Sequence, residues 1–135
     1  VQQLETKLTK ETLPNAKIFH GNGYIFIEDA IQNHSIDRLF IFHPDPWFKK
    51  RHHKRRVINA KLLTLLNNKI KTNGKIYIST DVDTLFEDIN DQFKPFEQFK
   101  KINDPFWNEN YKTHWSSFSA KDNRNCFVQA YQKIN

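Results

Sequence analysis

The chain is organised around the stretch FHPDPWFKKRHHKRR, residues 42–56. The residues that lead into it, 36–42, have few polar interruptions, a pattern typical of a buried parallel strand. Pro44 and Pro46 bracket Asp45 and disfavour both a helix and ladder pairing, so they predict a stiff loop at the end of that strand. Ligands of α/β proteins gather at the carboxyl ends of strands. We therefore expect Asp45 to lie at a binding edge of a sheet.

Residues 49–56, the basic segment, follow this loop, and six of the eight are Lys or Arg. The chain has 21 basic and 15 acidic residues, so these eight residues account for its whole formal charge of +6. Such a patch is typical of a protein that binds a phosphate-rich partner. The alternative is a solvated charge run or a signal of the nuclear-localisation type. We expect the segment to bind an RNA or DNA backbone through Lys50, Arg51, His52, Lys54, Arg55 and Arg56.

The rest of the chain alternates between helical and extended patterns. Helical apolar spacing occurs in residues 1–10, 24–31, 58–70 and 80–93. The expected strands are residues 16–20, 36–42, 75–79, 96–102 and 126–134. This alternation predicts an α/β sheet, and 135 residues predict a single domain over 1–135. Lys54, Arg55 and Arg56 are expected at a helix start, where a bound phosphate gains most.

Composition excludes several classes. Three Gly and five Pro argue against a disordered chain, and the single Cys126 excludes an internal disulfide and fits a reducing compartment or is indifferent to the compartment. We expect neither a membrane span nor a secretory signal, because no apolar run is long enough and no signal-peptide pattern opens the chain. His43, His52 and His53 do not predict a metal site, because the cations around them would repel a divalent ion.

Four side chains are candidates for chemistry. Asp45 on a stiff loop can accept a hydrogen bond from an amino group, and Trp47 offers a stacking face for a base; an ordinary loop Asp and a core Trp are the alternative. Asn22, between two glycines, could face the edge of an adenine, although a tight turn explains it equally well. Asp81 could bind a base or a ribose, or cap the next helix, which is the commoner use.

At these residues the chain resembles the tRNA (guanine-N7-)-methyltransferase family. That family's signature is a strand ending in Phe-Pro-Asp-Pro-Trp, then a Lys, an Arg-His pair and a Lys-Arg-Arg run, and residues 43–56 match it almost without a break. Residues 80–81 match a Thr-Asp pair of the family. Residues 113–118 resemble its Thr-x-aromatic-Glu-x-x-Phe motif, and residues 22–23 occupy the place of an Asp/Asn-Ala pair.

The resemblance implies a Rossmann-like class I methyltransferase sheet without its first two strands, the C-terminal portion of a catalytic domain. It implies S-adenosylmethionine as cofactor, tRNA as substrate, methyl transfer to N7 of a variable-loop guanine, and a cytoplasmic location without a membrane. Because eukaryotic relatives work with a second subunit, a protein partner is also allowed. The implied residues are Asp45 for catalysis; Asn22, Gly23 and Asp45 for the cofactor; and Lys49, Asp81, Thr113, His114, Trp115 and Ser116 for the substrate.

Two departures from the family pattern leave alternatives. Ser116 stands where the family has Glu, and the glycine-rich turn that cradles methionine is absent, so we expect a piece of a longer protein. One alternative function is a non-catalytic tRNA-binding fragment or a degenerate methyltransferase. Another is an amino-methyltransferase, because the Asp-Pro-Pro-aromatic motif of those enzymes also resembles residues 44–47.

Overall fold

The computed structural model describes residues 2–10, 13–108 and 125–135, and the chain forms two compact units, Val1–Ile31 and Gln32–Asn135. The first unit contains α1 (Gln2–Lys10) and α2 (Gly23–Ala30). The predicted strand at residues 16–20 is wrong: these residues are not in a strand, and the exposed Phe19 ring packs against Phe26, with ring centroids 4.5 Å apart. The prediction of one domain over 1–135 stays a prediction.

The second unit is built on a four-stranded sheet in the order β1-β2-β4-β3. The strands are β1 (Ile36–Phe42), β2 (Ile70–Thr80), β3 (Phe99–Ile102) and β4 (Phe127–Lys133). β1 and β2 are parallel, whereas β4 runs antiparallel to both β2 and β3. The predicted α/β class is confirmed. β1 is parallel as expected, but it lies at an edge of the described sheet and none of its residues is buried.

One face of the sheet is covered by α3 (Ala60–Lys69) and α4 (Asp83–Phe93). Their apolar stripes bury side chains beneath the sheet, and each such burial stabilises the fold by about 1.5–3 kcal/mol. Phe93 stacks on Tyr131, with ring centroids 3.7 Å apart, and burial raises the pKa of Tyr131 to about 12. The core residues are Leu62, Leu63, Leu66, Ile70, Ile76, Ile78, Leu85, Ile89 and Phe93.

The helix α3 begins later than predicted. Its N-cap is Asn59, whose Oδ1 accepts a hydrogen bond from the backbone N–H of Leu62 at 3.0 Å, so the basic segment lies before the helix. The helix also ends earlier, because β2 already begins at Ile70. Asn73 and Gly74 lie inside β2. A Cβ on Gly74 would lie 2.5 Å from Ile70 Cγ2 and 2.8 Å from the Lys71 carbonyl oxygen, so the local path of β2 favours glycine there.

The opposite face of the sheet is covered by a short 3-10 helix, Pro105–Asn108. Phe106 packs against Phe40 and Tyr77, with ring centroids 5.3 and 4.9 Å away. An ion pair fixes this helix, since Lys75 Nζ lies 2.8 Å from Asp104 Oδ2. Burial raises the pKa of Asp104, but the hydrogen bonds from Lys75 and from the backbone N–H of Phe106 outweigh it and leave the pKa below its ordinary value.

Candidate functional site

The carboxyl ends of β1 and β2 lie side by side, because the two strands are parallel and Phe42 pairs with Ser79. The backbone N–H of His43 donates to the Ser79 carbonyl at 2.8 Å, which extends this pairing by one residue. Asp81 lies just beyond the end of β2, and its Oδ1 is 3.9 Å from His43 Nδ1. The structure therefore brings Asp81 to the residue from which the acidic loop, residues 44–48, departs.

The acidic loop turns sharply at both ends. His43 has a φ of 47° and Trp47 a φ of 44°, both in the left-handed region. For residues with a side chain, such conformations cost of order 1–3 kcal/mol each and persist only where the surroundings hold them. The Asp45 side chain is exposed between these two turns. A carboxylate is thus held outside the carboxyl end of a parallel strand, as the two prolines predicted.

The Trp47 ring, which was expected to offer a stacking face to a base, is half-buried and already carries a cation over one face. The guanidinium carbon of Arg55 lies 5.1 Å from the centre of the Trp47 ring, and the His52 ring packs edge-on with its centroid 5.8 Å away. The next residue, Phe48, has 71% of its surface exposed. We did not single out Phe48 from the sequence, although an aromatic residue inside a basic run is the pattern of proteins that stack bases.

The basic segment forms a 3-10 helix, Lys50–Arg55, rather than the start of an α-helix. Five cations of the segment are exposed: Lys49, Lys50, Arg51, Lys54 and Arg55. His52 is half-buried against Trp47. The five exposed cations follow the acidic loop directly, so the positive surface and the Asp45 carboxylate belong to one continuous stretch of chain.

Arg56 is the exception within the basic segment. Its residue surface is 5% exposed, its Nε donates to the Pro46 carbonyl at 2.8 Å, and its Nη1 lies 3.3 Å from Asp88 Oδ2. The expected contact of Arg56 with an RNA backbone is therefore wrong for this structure. A phosphate cannot reach a guanidinium that is buried and already paired.

The start of α4 is not capped by Asp81. Val82 occupies the N-cap position without a side-chain cap hydrogen bond, and Thr80 Oγ1 accepts from the Val82 backbone N–H at 3.1 Å. Asp81 is therefore not the N-cap residue of α4. Its carboxylate lies beside His43 at the end of the sheet, and its side chain is only 7% exposed.

In the first unit, Asn22 is the N-cap of α2, and its Oδ1 accepts from the backbone N–H of Ile25 at 3.3 Å. The side chain is nevertheless exposed, and a Cβ built on Gly23 would meet nothing within 4 Å. The predicted substrate residues Thr113, His114, Trp115 and Ser116 lie outside the described residues.

Residues 2–10, 13–108 and 125–135 contain no group of three His, Cys, Asp or Glu side chains that could hold a metal ion. Within the same ranges, no helix is both long and apolar enough to cross a membrane.

Three relatives are similar to parts of this chain. A tRNA (guanine-N(7)-)-methyltransferase of Nitrosococcus oceani is 40% identical over 89 residues, which are 66% of this chain and 38% of that protein. One of Neisseria meningitidis is 45% identical over 76 residues, 56% of this chain and 32% of that protein. A bifunctional methyltransferase of Rickettsia bellii is 33% identical over 98 residues, 73% of this chain and 18% of that protein. The chain thus spans less than half the length of these relatives.

A solved structure with a similar fold is the SAM-dependent O-methyltransferase of Thermotoga maritima. Its TM-score is 0.53 at 13% identity, and the match covers 97% of this chain and 44% of that chain. At this identity the similarity shows the fold alone, and it supports the predicted Rossmann-like class I sheet. A family model described as "Putative methyltransferase" matches residues 1–133, nearly the whole chain. The chain therefore belongs to this methyltransferase family.

Proposed function

We propose that this chain acts in the transfer of a methyl group from S-adenosylmethionine to N7 of a guanine in the variable loop of tRNA. The observation that carries the proposal is the acidic loop. Its Asp45 carboxylate is exposed at the carboxyl end of β1 and is followed directly by five exposed cations. The names of the relatives from Nitrosococcus oceani and Neisseria meningitidis support tRNA and guanine N7 as the target.

The chemistry requires placement more than proton transfer. Guanine N7 carries an in-plane lone pair, so no strong base is needed, and alignment of the reacting atoms supplies most of the acceleration. Asp45 would accept hydrogen bonds from the guanine amino or imino groups and would stabilise the positive charge that develops on the ring. Lys49, which is exposed, would contact the same nucleotide or its neighbour. Asp81 stays a prediction for this role, since its side chain is only 7% exposed and lies beside His43. Thr113, His114, Trp115 and Ser116 stay predictions for this role.

The residues present fit the cofactor in two respects. The space beside Gly23 is open, so a flat ligand can approach the backbone there, and the Asn22 side chain is exposed next to it. We propose that Asn22 and Gly23 contact the adenine of the cofactor. The cofactor contact of Asp45 that the family resemblance implies stays a prediction. When bound, S-adenosylmethionine supplies the electrophilic methyl group.

The basic segment would bind the tRNA backbone. Exposed Lys and Arg side chains release counterions when they contact phosphates, so affinity falls as salt rises. This role is assigned to Lys50, Arg51, Lys54 and Arg55, with His52 at the margin because it packs on Trp47.

Asp45→Ala is the test of the proposal. The chain is incubated with tRNA and methyl-labelled S-adenosylmethionine, and the modified base is located by chemical cleavage at 7-methylguanine. We expect Asp45→Ala to lower transfer by about 100-fold or more while tRNA affinity in a filter-binding assay changes less than about twofold. Asp45→Asn is the matched control, because it keeps the shape and one acceptor but removes the charge. Equal losses of transfer and binding would reject this division of roles.

A non-catalytic tRNA-binding function is the second candidate, and the exposed cations favour it independently of Asp45. Its signature is tRNA binding by the wild-type chain without any label transfer and without calorimetric binding of S-adenosylmethionine. Label on an exocyclic amino group, with no cleavage at 7-methylguanine, would instead identify an amino-methyltransferase.

A further inference from the structure

The buried side chain of Arg56 connects two parts of the candidate site. Its Nε donates to the carbonyl of Pro46 in the acidic loop, at 2.8 Å. Its Nη1 is paired with Asp88 on α4, at 3.3 Å, and the Arg56 side chain is only 6% exposed. The guanidinium is planar and rigid, so two bonds made from different nitrogens fix the spacing of their partners.

The hydrogen bond from Arg56 to the Pro46 carbonyl lies next to the strained backbone of Trp47. The Pro46 carbonyl belongs to the peptide bond that leads into Trp47, whose φ of 44° is unfavourable for a residue with a side chain. Arg55 and His52 hold the Trp47 ring, whereas Arg56 holds the backbone just before it. Asp45 is one residue further back, so the same bond limits where its carboxylate can lie.

The pair with Asp88 connects the loop to α4. This helix begins at Asp83, two residues after Asp81, and Asp88 lies in its second turn. The acidic loop that carries Asp45 is thus fastened to the helix that follows Asp81.

We infer that Arg56 is a positioning residue that sets the distance between the Asp45 and Asp81 carboxylates. The inference rests on the proposed function, in which the exposed Asp45 carboxylate contacts the substrate. A buried cation costs several kcal/mol unless it is paired, so an arginine that only bound RNA would lie at the surface with its five neighbours.

Arg56→Lys tests the inference, because lysine keeps the charge but lacks the rigid fork of two nitrogens that joins Pro46 to Asp88. The readout is fluorine NMR of the chain labelled with 5-fluorotryptophan, which gives one resonance for each of its three tryptophans. We expect the Trp47 resonance to shift or broaden and the Trp107 resonance to stay in place. Lys54→Met, a change at a nearby exposed cation, is the matched control and should leave both resonances unchanged.

The salt dependence of tRNA binding separates positioning from RNA contact. Arg56→Lys and Arg56→Met should leave the slope of log affinity against log salt unchanged, whereas Lys54→Met should reduce it by about 0.7–0.9. If the wild type transfers methyl groups, Arg56→Lys should lower kcat by up to about 100-fold with KM for tRNA unchanged. Two results together would overturn the inference. Arg56→Met would reduce the salt slope as much as Lys54→Met does, and the Trp47 resonance would not move in Arg56→Lys.

Asp88→Asn is the second variant and loosens the connection from the helix side. It should move the Trp47 resonance in the same direction as Arg56→Lys does. If the arginine variants do not fold, the Trp47 resonance of Asp88→Asn alone tests whether the Arg56–Asp88 pair holds the acidic loop. Joint movement of the Trp47 and Trp107 resonances would show a general structural role and also overturn the inference. If wild-type chain does not bind tRNA, the proposed function fails, while the Trp47 resonance still reports whether Arg56 holds the loop.

Discussion

Replacing Lys50 and Lys54 by alanine removes two of the five exposed cations of the basic segment, and we expect it to weaken tRNA binding in a salt-dependent way. Both lysines are exposed, so their replacement should change the charge of the segment without disturbing the acidic loop. Arg55 packs over Trp47, and Arg56 is buried against Pro46 and Asp88, so their replacement would also disturb the acidic loop.

The number of exposed cations determines the size of the effect. Each phosphate contact contributes about 0.7–0.9 to the slope of log affinity against log salt, so five cations give a slope of at most about 3.5–4.5. Losing two lowers the slope by about 1.4–1.8. Because counterion release vanishes near 1 M salt, the lines for wild type and variant converge there. The variant should then bind about 25- to 60-fold more weakly at 0.1 M salt.

The assay is filter binding of tRNA between about 0.05 and 0.5 M salt, a range over which the ionic contribution varies steeply. Lys100→Ala with Lys101→Ala is the matched control, since it removes the same charge from β3, at the opposite edge of the sheet from β1. We expect the control to change the slope by much less. Parallel lines for wild type and the Lys50/Lys54 variant would refute the phosphate role, and equal effects of both variants would show that only net charge matters.

Three further perturbations test the site and the fold. Phe48→Ala should lower tRNA affinity by about 5- to 150-fold in the same filter assay, which is the equivalent of about 1–3 kcal/mol of base stacking. Phe48→Trp should preserve the affinity. An unchanged affinity in Phe48→Ala would exclude stacking at this residue. Asp104→Asn should lower the free energy of unfolding in urea. The pKa of Asp104 is lowered in the fold, so its stabilisation is present above the ordinary carboxyl pKa and is lost as pH falls through the lowered value. The raised pKa of Lys75 acts oppositely, and its stabilisation is lost only as pH rises through that raised value. The difference between wild type and Asp104→Asn should therefore be constant from about pH 5 to 9 and shrink in acid, whereas a constant difference down to pH 2 would contradict the assigned pairing. Ile78→Ala, in the fully buried centre of β2, should cost about 2–5 kcal/mol by the same urea assay, and a loss below about 1 kcal/mol would mean that the core differs from the one described.

Local sequence was enough to predict the features that depend on backbone preference and hydrophobic periodicity. The parallel strand β1, the loop stiffened by Pro44 and Pro46, and the helices α3 and α4 follow from residues that are neighbours in the chain. The exposure of Asp45 follows as well, because a loop at the carboxyl end of a strand carries its polar side chains outward. The strand predicted at residues 16–20 was wrong, because an extended stretch becomes a strand only with a partner, and local sequence does not determine that partner.

The roles of the individual basic residues were decided by tertiary structure. In the sequence, Arg56 is indistinguishable from Arg55 and Lys54, yet only Arg56 meets Asp88, which is 32 residues further along the chain, and is buried with it. Arg55 likewise lies over one face of the half-buried Trp47 ring, whereas the neighbouring Phe48 ring is exposed. Charge and aromatic content are properties of composition and can be counted along the chain. Which cation faces solvent depends on the carboxylates and carbonyls that folding brings within 3–4 Å, and only the packed structure contains that information.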